Sequence, residues 1–166
     1  MSSHSHRGRY AVAAVAALAT IAVGCTQSDP IADQQGQVAE RGAEVMPFDL
    51  DATTHLFTET DDGGIQVVTA DDPADQRQIH LIREHLTEER DNFARGDFDD
   101  PARIHGHDMP GVAELTAGYT DVSVTYAETP DGARLTYTTD DPQLVDAIHA
   151  WFERQVMDHG DDAEAG

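Results

Sequence analysis

The chain reads as an α+β domain: two β-β-α units whose strands form a four-stranded antiparallel sheet, with two long helices on one face. Three observations carry that expectation. HLFTETDDGGIQVVTA (55–70) and VSVTYAETPDGARLTYTT (122–139) each join β-favouring runs across a turn rich in Asp and Gly. Each is followed by Asp-Asp-Pro and then a long run with apolar residues at helical spacing. Sliding the chain by 69 residues aligns 55–86 on 124–155 without a gap, and 11 of 32 positions are identical. The identities include the turn glycines Gly63 and Gly132, both Asp-Asp-Pro triplets, and Ile79-His80 against Ile148-His149.

The first 24 residues read as a signal peptide. Arg7 and Arg9 precede the apolar run AVAAVAALATIAV (11–23), shorter than the roughly 20 residues that a spanning helix needs. The run ends in Ala22-Val23-Gly24-Cys25, which holds the single cysteine of the chain and resembles the lipobox of bacterial lipoproteins. That resemblance implies acylation of Cys25 and an anchor on the outer side of a bacterial membrane, facing the periplasm or the exterior. An acylated Cys25 leaves no thiol for a nucleophile, a disulfide or a metal site. Arg7-Gly8-Arg9 lacks the consecutive arginines of a twin-arginine signal.

Residues 25–47 are small, polar and aperiodic, and read as a lipidated flexible tether. The folded domain is expected over 48–159, with repeats at 55–95 and 122–159. In the first repeat Asp71-Asp72-Pro73 opens a helix whose stripe is Ile79, Ile82, Leu86 and Phe93, ended by Gly96. In the second, Asp140-Asp141-Pro142 opens a helix with Leu144, Val145, Ile148, Trp151, Phe152 and Val156 on its apolar face. Strand alternation points Val122, Val124 and Tyr126 to one side. The connector 96–120 carries one short helix, Val112–Ala117, and 160–166 reads as an acidic disordered tail.

Without residues 1–24, 8 arginines face 32 acidic residues, a formal charge of −24 with no lysine anywhere. Such a surface repels nucleic acid and anionic headgroups. Dense carboxylates suit cation binding, or solubility of an exported protein in salt. Seven histidines remain, and imidazole beside thioether or carboxylate is the donor set of copper and zinc sites. The candidate is RIHGHDMPG (103–111): His105 and His107 as ligands, with Met109 for cuprous copper, or Asp108 or His85 for zinc. His80 lies away from its helix stripe and is expected in solvent, whereas His149 sits at an apolar edge. His55 aligns with Val124, so it is either a hydrogen-bonded core histidine or an inward ligand. His159 follows the second helix, where a cation suits the C-terminus. Carboxylates are too numerous for an acid–base pair to stand out, and no HExxH, GxSxG, Walker A or GxGxxG pattern occurs.

From His55 to Gly160 the chain also resembles a group of small exported bacterial proteins, some catalogued as aspartate carbamoyltransferase. The resemblance lies in Gly64-x-Gln66, Asp72-Pro73-x-Asp75, Gln78-Ile79, Leu81-Ile82-Arg83, Gly96-Asp97-Phe98, Ile104-His105-Gly106, Met109-Pro110-Gly111 and Trp151-Phe152. It supports the domain boundaries but not that activity, whose Ser-Thr-Arg-Thr phosphate loop and essential lysine have no counterpart here. The expected function is a lipid-anchored envelope protein that binds copper or zinc through its connector. The alternative is a non-catalytic interaction or structural module without metal, and an enzyme is the third-placed reading.

Overall fold

The computed structural model describes residues 29–166; the expected signal peptide and Cys25 lie outside them. In chain order the elements are α1 (Pro30–Val45), β1 (Thr53–Thr60), β2 (Gly63–Ala70), α2 (Gln76–Phe93), α3 (Asp99–His105), α4 (Val112–Gly118), β3 (Ser123–Thr129), β4 (Gly132–Thr138), α5 (Pro142–His159) and β5 (Ala163–Ala165). The fold is mixed α+β around one five-stranded sheet of order β3-β4-β2-β1-β5. β3, β4, β2 and β1 pair antiparallel, and β5 joins β1 in parallel.

The centre of the sheet repeats the sequence offset. β2 and β4 pair with Gly63 opposite Thr138, Gln66 opposite Leu135 and Thr69 opposite Gly132. With an offset of 69 these partners are each other's counterparts, so the pairing maps onto itself about the Gln66–Leu135 pair. The turns follow suit. Ala70 N–H donates to the Asp131 carbonyl, and its counterpart Thr139 N–H donates to the Asp62 carbonyl, both at 2.9 Å. A Cβ on Gly63 would strike the Tyr137 carbonyl, and one on Gly132 would strike the Val68 carbonyl, again counterpart positions.

One sheet face carries Phe57, Gln66, Val68, Leu135 and Tyr137, all buried. Both long helices pack there: Phe93 of α2 meets Tyr137 with ring centres 6.2 Å apart, and Phe152 of α5 meets Phe57 at 5.1 Å. Trp151, Phe93, Phe98, Tyr137 and Phe152 form the aromatic centre. The helices cross over. α2 lies mainly on β4 and β3, and α5 on β2 and β1, so each covers the hairpin of the other half. Polar hooks fix the crossing. Arg83 of α2 donates to the carbonyls of Gly132 (3.0 Å) and Thr129 (2.7 Å), with Glu128 at 3.3 Å. His149 of α5 places Nε2 at 2.9 Å from the Gly63 carbonyl and 3.0 Å from that of Thr60, with Glu59 at 3.7 Å from Nδ1. The identities Glu59/Glu128, Thr60/Thr129 and Gly63/Gly132 are thus the receptors of a donor reaching across from the other half.

Four expectations need correction. The expected tether contains α1, capped by Asp29, whose carboxylate accepts from Ile31 N–H at 3.0 Å, with Pro30 in the first turn. Its stripe is made of small residues: Val38 is fully buried, and Gly42 lets the helix close on Leu50. Composition alone hides such a stripe. The expected tail forms β5, because the open edge of β1 supplies backbone partners that Ala163–Ala165 would not choose by propensity. α2 begins at Gln76 rather than at Pro73. Asp75 accepts from the N–H groups of Arg77 and Gln78, while Asp72 closes a turn on Ala74 N–H. In α5, by contrast, Asp141 caps as expected, accepting from Gln143 N–H at 2.9 Å. The connector, expected to hold one helix, holds two, α3 and α4.

Two sets of glycine substitutions test this packing by urea unfolding. Gly63→Ala and Gly132→Ala each force a carbonyl out of the sheet and should each lower stability by at least about 2 kcal/mol. Gly36→Ala on α1 meets nothing within 4 Å and should raise it by roughly 0.5–1 kcal/mol, a gain that a flexible tether would not give.

Candidate functional site

Where both helices approach the β1 edge, the core becomes polar. Within it two ion pairs occupy counterpart positions, because an offset of 69 carries His85 onto Arg154 and Glu89 onto Asp158. His85 Nε2 stands 3.6 Å from Glu89, both nearly inaccessible, and Arg154 Nε donates to Asp158 at 2.8 Å. Each carboxylate reaches a further group. Glu89 takes Gln66 Nε2 at 3.5 Å, and Gln66 in turn accepts from the Tyr137 hydroxyl at 2.8 Å. Asp158 takes His105 Nδ1 at 2.9 Å. A buried carboxylate left unpaired is strongly unfavourable, and here each has its cation.

Three further imidazoles gather between the pairs. His159, the last residue of α5, stacks on His55 of β1 with ring centres 5.3 Å apart and 9° between planes. His105, the last residue of α3, meets His159 edge-on at 5.0 Å. Phe48 bridges His55 (5.9 Å) and His85 (5.6 Å). His55, His105 and His159 line a cavity of about 20 Å³ together with Gln66, Glu89 and Gln155. That is room for one water molecule or a bare ion.

Electrostatics keep this trio neutral. Burial lowers the His55 pKa from 6.5 to about 4, outweighing the attraction of Glu89. Burial also lowers His105 despite Asp158, and it lowers His159 well below the ordinary value, with His55 and His105 adding to the effect. His85 moves the other way. Its burial would lower it, but the negative charge of Glu89, 3.6 Å away, prevails and raises it.

Orientation matters as much. The Asp158 carboxylate holds the Nδ1–H of His105, leaving Nε2 as a lone-pair donor. His55 Nδ1 is buried and has no partner. Gln155 Oε1, also buried, has none either. Oxygen partners that fix the tautomer of a histidine and free its other nitrogen are what metal-binding imidazoles use.

RIHGHDMPG is pulled apart. His105 turns inward at the end of α3, Gly106 leaves the helix with φ +100°, and His107 and Asp108 are exposed. Met109 is buried in the apolar core with Val112 and Leu115, so its thioether belongs to packing. His85 is held by Glu89 and Phe48 rather than by the connector. His80 is in solvent beside Glu84 as expected, and His149 is a structural donor to the turn. Among the described residues, no three His, Cys, Asp or Glu side chains stand in metal-holding geometry as placed. His159 lies flat against His55 instead of edge-on to a common point.

Asp158, Glu89, Arg154 and Gln155 escaped the sequence reading, although extending the 69-residue repeat by three positions pairs His85–Glu89 with Arg154–Asp158. The chain matches no protein-family model, no curated protein and no solved structure.

Acid unfolding tests the buried trio. The unfolded chain protonates His55 near 6.5 and the folded chain only near 4, so the unfolded state binds more protons between these values. Stability from this residue is therefore intact above about pH 6.5 and declines as pH falls to 4. His55→Gln should lose about 2 kcal/mol less than the wild type between pH 7 and 4.5 in urea titrations. Subtracting variant from wild type cancels the carboxylates and His85, which titrate in both.

Proposed function

We propose that this chain is a lipid-anchored protein of the bacterial cell envelope whose domain takes up one transition-metal ion, copper or zinc, between His55, His105 and His159. One observation carries the reading: two buried imidazoles, His55 and His105, and a half-buried third, His159, meet at an ion-sized cavity, and Nδ1 of His105 is already committed to the Asp158 carboxylate. Two imidazoles on one tetrahedral ion have ring centres roughly 5 Å apart, close to the 5.3 and 5.0 Å spacings found here. The site requires the His159 ring to rotate from its stack on His55 so that a nitrogen faces the cavity. The glutamate and aspartate nearby are neutralised by His85 and Arg154, so a cation is held by nitrogen donors and not by net charge. Gln155 offers a fourth donor.

The domain itself, we infer, arose by duplication of a β-β-α unit. Support comes from the self-mapping of the β2–β4 register, the reciprocal hooks on the two turns and the counterpart ion pairs. One copy then exchanged Val124-like and Leu135-like core positions for His55 and Gln66, which made the centre polar.

Titration of the metal-free chain with Cu(I), Cu(II) and Zn(II) tests the site. The expected result is micromolar or tighter binding that weakens at least about 100-fold in a His105→Ala/His159→Ala double variant and is unchanged in His107→Ala. Because burial lowers His55 to about 4 and His159 well below its ordinary value, protons compete little at these two ligands, and affinity should fall less between pH 7 and 5.5 than that of free imidazole. An equal loss in His107→Ala, or millimolar binding by every form, would overturn it and leave the cavity to a water molecule.

A further inference from the structure

We infer that the edge formed by the start of α1 and the end of α5 lies against the membrane surface, with Ile31 and Met157 in the bilayer boundary. This rests on the anchoring half of the proposed function and is independent of the metal. Among the described residues, Ile31 and Met157 are the large hydrophobics left exposed, each at 57 %. They are neighbours: both line a groove of about 260 Å³ with Pro30, Gln34 and Arg154. Met157 also borders a second groove of about 490 Å³ that contains Phe57, Phe152 and Val156, with Glu59 and Glu153 at its rim. An exposed apolar strip on a chain that spends 32 residues on carboxylates marks a contact surface.

Its place in the chain names the occupant. Four residue steps separate Cys25 from the α1 cap Asp29, a reach of at most about 14 Å. α1 cannot swing away from the domain, because Val38 is buried, Gln35 donates to the Met157 carbonyl at 3.0 Å and Arg41 donates to the Ile104 carbonyl. A lipid on Cys25 therefore enters the bilayer close to the strip. The one charged group in the Ile31 groove besides the buried Asp158 is Arg154, which that aspartate pairs; the exposed carboxylates Asp29 and Asp33 flank Ile31, so contact suits a zwitterionic surface better than an anionic one. One acyl anchor binds membranes only marginally, and a second apolar contact strengthens it.

The experiment uses the lipidated chain in phosphatidylcholine vesicles. Cys25 is the single cysteine and its sulfur is acylated, so Met157→Cys supplies the one free thiol for an environment-sensitive fluorophore. Thr125→Cys, exposed on β3 at the far sheet edge, is the reference. Lipids carrying a nitroxide near the headgroup should quench the label at 157 several-fold more than the label at 125. Flotation is read first. Failure of the wild type to float, or flotation of Cys25→Ala equal to the wild type, overturns the anchor and this inference together. Flotation with equal quenching at both positions overturns the orientation alone. Flotation with no nitroxide quenching, together with disulfide-linked dimers in a parallel unlabelled Met157→Cys sample, assigns the strip to a second copy of the chain instead.

Discussion

Antiparallel pairing of β2 with β4 is the contact on which everything else depends. It makes one sheet of two hairpins, and it sets their turns at opposite ends, where a helix from the other half can reach them. Arg83 and His149 exploit this, each donating to the carbonyls of a turn that belongs to the opposite half. Turn carbonyls at a sheet end would otherwise face water or remain unpaired. Because the hooks sit on the long helices, they also fix which residues of α2 and α5 face the sheet, including Glu89 and Asp158.

Crossing explains why a polar centre is tolerated in so small a core. The two carboxylates arrive from different helices, each already carrying a cation one turn earlier on its own helix. Each needs only one partner from elsewhere, Gln66 from β2 or His105 from α3. Apolar walls from Phe48, Phe57 and Ile104 then exclude water, which holds the three remaining imidazoles uncharged. The cluster is therefore a consequence of where two ordinary i,i+4 ion pairs fall on crossed helices, with His55 set opposite them by the β1 pleat.

Strands, turns and both long helices were readable because each has a local cause: β-branched alternation, Asp-Gly turns, a 3.6-residue apolar stripe. α1 and β5 were not. A stripe of Val38 and Gly42 has no hydrophobic contrast, and Ala-Glu-Ala becomes a strand only because β1 offers an edge. At the candidate site, chemistry outran geometry. His105, expected as a metal ligand beside His107, lies buried, but His107 points to solvent, since α3 ends between them at Gly106. Adjacent histidines on either side of a helix end seldom share a direction. His159, by contrast, lies 104 positions from His55 and meets it through the parallel strand that follows it.

That parallel strand has a consequence for how the molecule is made. Until β5 is in place, the outer edge of β1 shows a row of unpaired N–H and C=O groups along His55–Phe57, an invitation to pairing with another chain. β5 comes last of all the elements, and the helix that delivers it must first cross onto the other half. The contacts that join the two halves are remote in sequence, and such contacts slow folding. A chain threaded outward from its N-terminus would present β1 bare for the whole of its passage, so protection of that edge falls to whatever escorts the nascent protein, and the three residues of β5 take over only at the end.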